Sequence, residues 1–237
     1  MTGRLDAVVF DWGGTLTPWH DIDPLEMWRA YATVRAPADP EPLARALHAA
    51  EEAAWARGRD HHRAATLDEV FRTAGADPSG PEHAQALVAY EAAWEPHTWT
   101  DPGAVPLLAA LRERGLRVGV LSNTLWTRRF HEQVFVRDGV LPFVDGAVYS
   151  SELAYVKPHP EAFLAALRAV GVSEPGRAVF VGDRLYDDVH GAAEVGMRTV
   201  FVPHSEIPSH QRGRAEGTPD AVVQRLGDVL AVVDRWR

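Results

Sequence analysis

The chain contains no cysteine, which excludes a disulfide framework and any thiol chemistry. It contains one lysine, Lys157, against 23 arginines. There is no long apolar run behind a basic N-terminal stretch, so neither a secretory leader nor a spanning helix is expected, and a cytoplasmic location is the default expectation. Positive charge is also short. With 24 basic and 33 acidic residues the formal net charge is −9, and no basic stripe is available to neutralise the phosphates of a nucleic acid.

What is present is the composition of a globular protein: 237 residues, 46% hydrophobic and 24% charged. That length suits one large domain or a core with a smaller companion. The lone lysine lies in Tyr155-Val156-Lys157-Pro158-His159-Pro160. In so arginine-rich a chain two readings stand: a place where a compact ammonium serves and a broad planar fork does not, or one surface lysine that survived by chance.

The segment Ala7-Val8-Val9-Phe10 reads as a strand buried on both faces, and it ends at Asp11 in a glycine-rich turn, Trp12-Gly13-Gly14-Thr15-Leu16. From about residue 18 to 97 no strand-like run occurs. Helices are expected over Pro24–Val34, Glu41–Arg57, a segment capped by Thr66 and ending near Gly75, and Glu82–Trp94 behind Pro81. After Trp99 the pattern alternates. Strands are expected at Arg117–Leu121, Gly146–Tyr149, Ala178–Val181 and Thr199–Val202, with helices at Ala104–Arg114, Trp126–Val136, Pro160–Val170 and Val189–Val195. Residues 221–236 read as largely helical, and 205–217 as a polar loop. The expected fold is α/β: a doubly wound parallel, Rossmann-like sheet core made by residues 1–17 and 98–237, with an all-α cap domain inserted at 18–97.

Four polar clusters then fall at the C-terminal ends of separate strands: Asp11, Ser122-Asn123-Thr124, Lys157, and Gly182-Asp183-Arg184-Leu185-Tyr186-Asp187-Asp188. In a parallel sheet those ends share one edge, where ligands bind. A carboxylate can serve as nucleophile, a serine before a helix can hold phosphate, a lysine can neutralise a transferring phosphoryl group, and carboxylates without histidine suit Mg²⁺. Taken singly each has a plainer reading. Asp11 and Asp183 suit turns, Ser122-Asn123 a helix N-cap, and Asp187 and Asp188 a solvated first helical turn.

Taken together the motifs resemble those of the haloacid dehalogenase superfamily with a helical cap between its first and second motifs. Asp11 to Leu16 resembles the first motif, Leu121-Ser122-Asn123 the second, Lys157-Pro158 the third, and Gly182-Asp183 to Asp188 the fourth. The resemblance implies that Asp11 is the nucleophile, with Ser122 and Lys157 holding the phosphoryl group and Thr15 and Asn123 also on the substrate side. It implies Mg²⁺ bound by Asp11, the Gly13 carbonyl and Asp183, with Asp187 or Asp188 assisting. Phosphatases of that superfamily usually carry a second Asp two residues after the nucleophile, as general acid and base. Here that position is Gly13. Such a group contributes ~10²–10⁴-fold, so its absence penalises poor leaving groups most.

Four readings follow. The first is a Mg²⁺-dependent phosphatase acting through an aspartyl-phosphate on a small phosphorylated metabolite, with His20, His61 or His62 as a substitute acid or with a preference for good leaving groups. The second is a catalytically weak protein that only binds a phosphorylated ligand or a partner. A phosphonatase would need a cap lysine for its imine, and residues 18–97 contain none. A haloacid dehalogenase would lack the acidic fourth motif. Trp19, Trp28, Trp55 and Trp94 are candidates for a substrate pocket or for plain core, and Arg59, His61 and Arg63 for substrate contacts or a solvated loop. Hinges are expected at Leu16–Pro18 and His97–Thr100. No pattern separates a monomer from a homodimer.

Overall fold

The computed structural model describes residues 4–203 and 213–237. Six parallel strands form one sheet in the order β3-β2-β1-β4-β5-β6: β1 Ala7–Phe10, β2 Arg117–Ser122, β3 Gly146–Tyr149, β4 Ala178–Gly182, β5 Arg198–Phe201 and β6 Ala221–Val222. The first strand lies in the middle because its apolar run buries side chains on both faces. Val8 and Phe10 join one core with Val118, Val120, Val179 and Val181, while Ala7 and Val9 join the other with Leu121, Val148 and Phe180. Helices α5 (Ala104–Glu113), α6 (Arg128–Arg137) and α9 (Val229–Trp236) cover the first face. Helices α7 (Pro160–Ala169) and α8 (Gly191–Glu194) cover the second. The sheet is therefore doubly wound, as expected.

Between β1 and α5 come four helices: α1 Pro24–Arg35, α2 Glu41–His61, α3 Leu67–Thr73 and α4 Pro81–Trp94. Asp23 caps α1, its carboxylate accepting from Leu25 N at 2.9 Å, and Thr66 caps α3, accepting from Glu69 N at 3.2 Å. Trp28, Tyr31, Phe71 and Tyr90 stack in the interior of this helical segment. The two chain crossings between it and the sheet run side by side: Thr17 Oγ1 donates to Trp99 O at 2.6 Å, and Asp101 N to Leu16 O at 2.8 Å.

Three expectations need correction. Residues 221–236 are not helical throughout, since Ala221–Val222 adds a strand to the exposed edge of β5 before the chain turns into α9. The helix expected from Val189 is preceded by a π-helical turn, Leu185–His190. The helix after β2 starts at Arg128 behind the cap Thr127, so Ser122-Asn123 is not its N-cap. Residues 205–212 of the expected polar loop lie outside the described residues.

Candidate active site

Strand register assembles the site. Phe10 pairs with Val120 on one side and Val181 on the other. Asp11 therefore leaves the sheet level with Leu121 and Gly182, its N–H donating to Val181 O at 2.9 Å. Ser122 and Asp183 stand one step beyond it on the flanking strands. Lys157 arrives from the loop after β3, and its Nζ donates to Asp11 Oδ1 and Asp188 Oδ1, both at 2.6 Å. The π-helical turn presents Asp188, whose Oδ2 accepts from Arg184 N at 2.8 Å. Thr15 Oγ1 lies 3.5 Å from both Asp11 Oδ2 and Asp183 Oδ1. Two glycines make room. A Cβ at Gly14, where φ is +92°, would collide with Asp183, and a Cβ at Gly182 would collide with Asp188.

Four ionisable groups are thereby taken out of water: Asp11 and Asp183 are 5% exposed, Lys157 3% and Asp188 0%. Burial pushes the Asp11 carboxyl up to about 6, against the pull of the Lys157 ammonium and with the repulsion of Asp188. Burial, with the charges of Asp11 and Asp188, raises Asp183 well above the usual carboxylate range. Burial alone would lower Lys157, but its two carboxylate partners prevail and hold it above the usual lysine value. Ligand oxygens of Asp11, Asp183 and Asp188 lie within 4.8 Å of one another. Three carboxylates against one ammonium leave a formal charge of −2. Asp183 Oδ2 is buried without a hydrogen-bond partner. An all-oxygen set with a surplus of two negative charges and an orphaned acceptor fits a hard divalent cation such as Mg²⁺.

The other expected residues sort by geometry. Ser122 is buried at the end of β2, across from Tyr149. Asn123 spends its amide on the loop that carries the lysine: Oδ1 accepts from Lys157 N at 2.8 Å, and Nδ2 donates to Lys157 O at 3.1 Å. Asp187 is not in the ligand cluster; its carboxyl is pushed up to about 6 by burial and by Asp188. His20 is exposed and faces His97, with ring centroids 5.5 Å apart, and is not among the partners of Asp11. His61 and Arg59 are exposed. His62 ends α2 in the left-handed region, and exposed Arg63 stacks over Tyr155. Trp28 is core, its indole donating to Glu51 at 2.7 Å. Trp55 and Trp94 are half-buried, and Trp19 borders Gly13.

Residues 5–196 match the family model of haloacid dehalogenase-like hydrolases. The chain belongs to that family. This hydrolase is 33% identical over 176 residues to a glyceraldehyde 3-phosphate phosphatase of Methanopyrus kandleri, covering 74% of this chain and 73% of that one. It is 32% identical over 200 residues to a phosphoserine phosphatase of Thermus thermophilus, covering 81% and 76%. Its fold is shared by a HAD phosphatase of Thermococcus onnurineus (TM-score 0.68, 24% identity, 97% and 98% covered). An L-2-haloacid dehalogenase of Xanthobacter autotrophicus shares it too (TM-score 0.64, 23% identity, 98% and 99% covered).

Two features of the hydrolase's site escaped the sequence. One is a buried relay behind the second motif. Ser150 Oγ accepts from Thr124 N and donates to Thr124 O, and Thr124 Oγ1 meets His131 Nε2 at 3.0 Å. His131 stacks on Tyr149 and takes the edge of Trp12; burial drops its imidazole to about 3, so it is neutral. The second is a clasp, with Ala64 N donating to Ala154 O at 3.2 Å and Val156 N to His62 O at 3.0 Å. It ties the end of α2 to the residue before Lys157. No spacing rule announces either, because each joins segments distant in the chain.

Proposed function

We propose that this hydrolase is a Mg²⁺-dependent phosphatase acting on a small phosphorylated metabolite through an aspartyl-phosphate on Asp11. The observation that carries the reading is the buried cluster of Asp11, Asp183 and Asp188 around Lys157, with its surplus of negative charge and orphaned acceptor. Mg²⁺ held by Asp11, the Gly13 carbonyl, Asp183 and Asp188 would supply charge neutralisation at the phosphoryl oxygens. Lys157 fixes the Asp11 carboxylate through Oδ1 and offers positive charge to the transferring group. Asn123 holds the Lys157 backbone in register, and Ser122 and Thr15 bound the phosphoryl pocket. Residues 18–97 act as the cap that shuts water out, with its crossings at Leu16–Pro18 and His97–Thr100 as hinges.

Asp11 attacks phosphorus, the ester P–O bond breaks, and the electron pair leaves with the alcohol oxygen. Gly13 has no proton to give it, so esters whose leaving group is stable as an anion are favoured. The phosphatase names of the two relatives support a small phosphorylated substrate. Within 18–97 there is no lysine for a phosphonatase imine, and the acidic fourth motif, whose Asp183 and Asp188 suit a metal ion, opposes the metal-free haloacid dehalogenase reading. The glycine at position 13 favours one further reading, a binding protein without turnover. Hydrolysis of an aryl phosphate that needs Mg²⁺ and disappears in Asp11→Asn supports the enzyme. Mg²⁺-dependent phosphate binding without turnover in the unsubstituted chain supports the binding protein instead.

A further inference from the structure

We infer that residues 62–67, although they lie in the inserted segment 18–97, are a positioning strap that stays on the core through the catalytic cycle and holds the second- and third-motif loops together. The inference rests on the phosphatase reading and deepens it. The sheet ladder joins β2 to β3 as far as Ser122 and Tyr149. The loops that carry Asn123 and Lys157 lie beyond that pair, and the strap crosses both. At one end Leu67 N donates to Leu125 O at 3.0 Å, two residues after Asn123. At the other, Arg63 pairs antiparallel with Tyr155, two residues before Lys157. The Ala64 N to Ala154 O and Val156 N to His62 O hydrogen bonds flank that pair. Asn123 closes the circuit by bonding the Lys157 backbone at both N and O. A shift of either loop therefore strains the strap, the Asn123 contacts or both.

Packing seats the strap as well. Ala65 and Leu67 are buried in one core cluster with Leu125, Val118 and Val120. The last turn of α2 lies against buried Val156, whose Cγ2 is 3.8 Å from the position of a Cβ at Gly58. Undocking would expose this apolar surface in addition to breaking three backbone hydrogen bonds, which favours a strap that stays in place. The two chain crossings run side by side and act as one attachment of the cap. The strap is a second. A cap held at two places rocks about the line joining them, and Ser122 and Lys157 keep their spacing while it does.

Arg63 and Tyr155 form the non-hydrogen-bonded pair of the bridge. The Cα atoms of such a pair stand about 4.5 Å apart, within disulfide reach. The chain has no cysteine, so Arg63→Cys with Tyr155→Cys gives one bond that a reductant opens in the same molecule. With nitrophenyl phosphate, kcat of the oxidised form should stay within about twofold of the reduced form, since no opening of the strap gates turnover. A loss of about tenfold or more that reverses on reduction would overturn the inference, because the strap would then be a lid that must open. Leu67→Pro and Leu67→Ala both remove the leucine side chain, and the proline also removes the N–H. Leu67 is the first residue of α3, where proline is accepted, and Thr66 is extended (φ −124°, ψ 160°), as the residue before a proline requires. Relative to Leu67→Ala, Leu67→Pro should lower kcat about threefold to tenfold, the worth of one hydrogen bond, with KM unchanged. Equal kcat would overturn the positioning role, and so would a raised KM alone, which marks contact with substrate instead. Should Leu67→Pro fail to fold, the two redox forms of the cysteine pair decide. No turnover by the unsubstituted chain sinks the phosphatase reading, and hydrogen exchange then tests the strap alone. Equal protection of the Ala64, Leu67 and Val156 amides in chelator and in Mg²⁺ with orthovanadate supports it; protection that appears only with the ligands overturns it.

Discussion

Replacing Lys157 by Met removes the ammonium that bonds both Asp11 and Asp188 while keeping the length of the side chain. Two charge-assisted hydrogen bonds at 2.6 Å disappear, each worth about 1.5–3 kcal/mol. Their sum agrees with the ~3–5 kcal/mol cost of stripping one partner from a buried ion pair. A loss of about 4 kcal/mol lowers the melting temperature of a chain this size by roughly 8–16 °C. The assay is thermal and urea unfolding of both proteins in chelator at pH 8, repeated at pH 5. The Asp11 carboxyl, pushed up to about 6 by burial, is mostly protonated at pH 5, so Lys157 has one anion fewer to neutralise and the difference should shrink. A loss under about 1 kcal/mol at pH 8 would refute the reasoning, because buried charges this close are costly to leave unpaired. So would a loss that grows on acidification. Lys157→Arg should not restore activity, since the planar fork needs more room than a site 3% exposed provides.

Mg²⁺ should stabilise the chelated protein, by about 2.7 kcal/mol at a hundredfold excess over its Kd. Gly14→Ala, which drives a methyl into Asp183 at a φ of +92°, should abolish that gain, as read by thermal shift against MgCl₂. His131 should tie stability to acid. Burial drops its imidazole to about 3, whereas in the unfolded chain it titrates near ~6.5. Between those values the unfolded chain binds the extra proton, so stability falls as pH falls, at about 1.4 kcal/mol per unit and about 2 kcal/mol by pH 5. Unfolding curves across that range for the unsubstituted chain and His131→Phe should differ by that slope; parallel curves would mean that the imidazole is hydrated.

Local pattern determined much of this protein. The apolar run before Asp11, the cap Thr66, and the β/α alternation after Trp99 are written in short stretches, because strand burial and helix capping are local effects. The four polar clusters were legible for the same reason: a parallel sheet puts all its C-terminal ends on one edge whatever the loops do. The helical reading of 221–236 failed at Ala221–Val222, since a two-residue edge strand is defined by its partner and not by its own period. Tertiary structure alone decided that Asp188 and not Asp187 meets Lys157, and that Asn123 serves the Lys157 backbone. It also decided that His20 turns toward His97 while Arg184 reaches the indole beside Gly13. Those choices depend on side-chain direction across contacts between distant segments, where an ångström changes the partner, and a linear pattern holds no record of such distances.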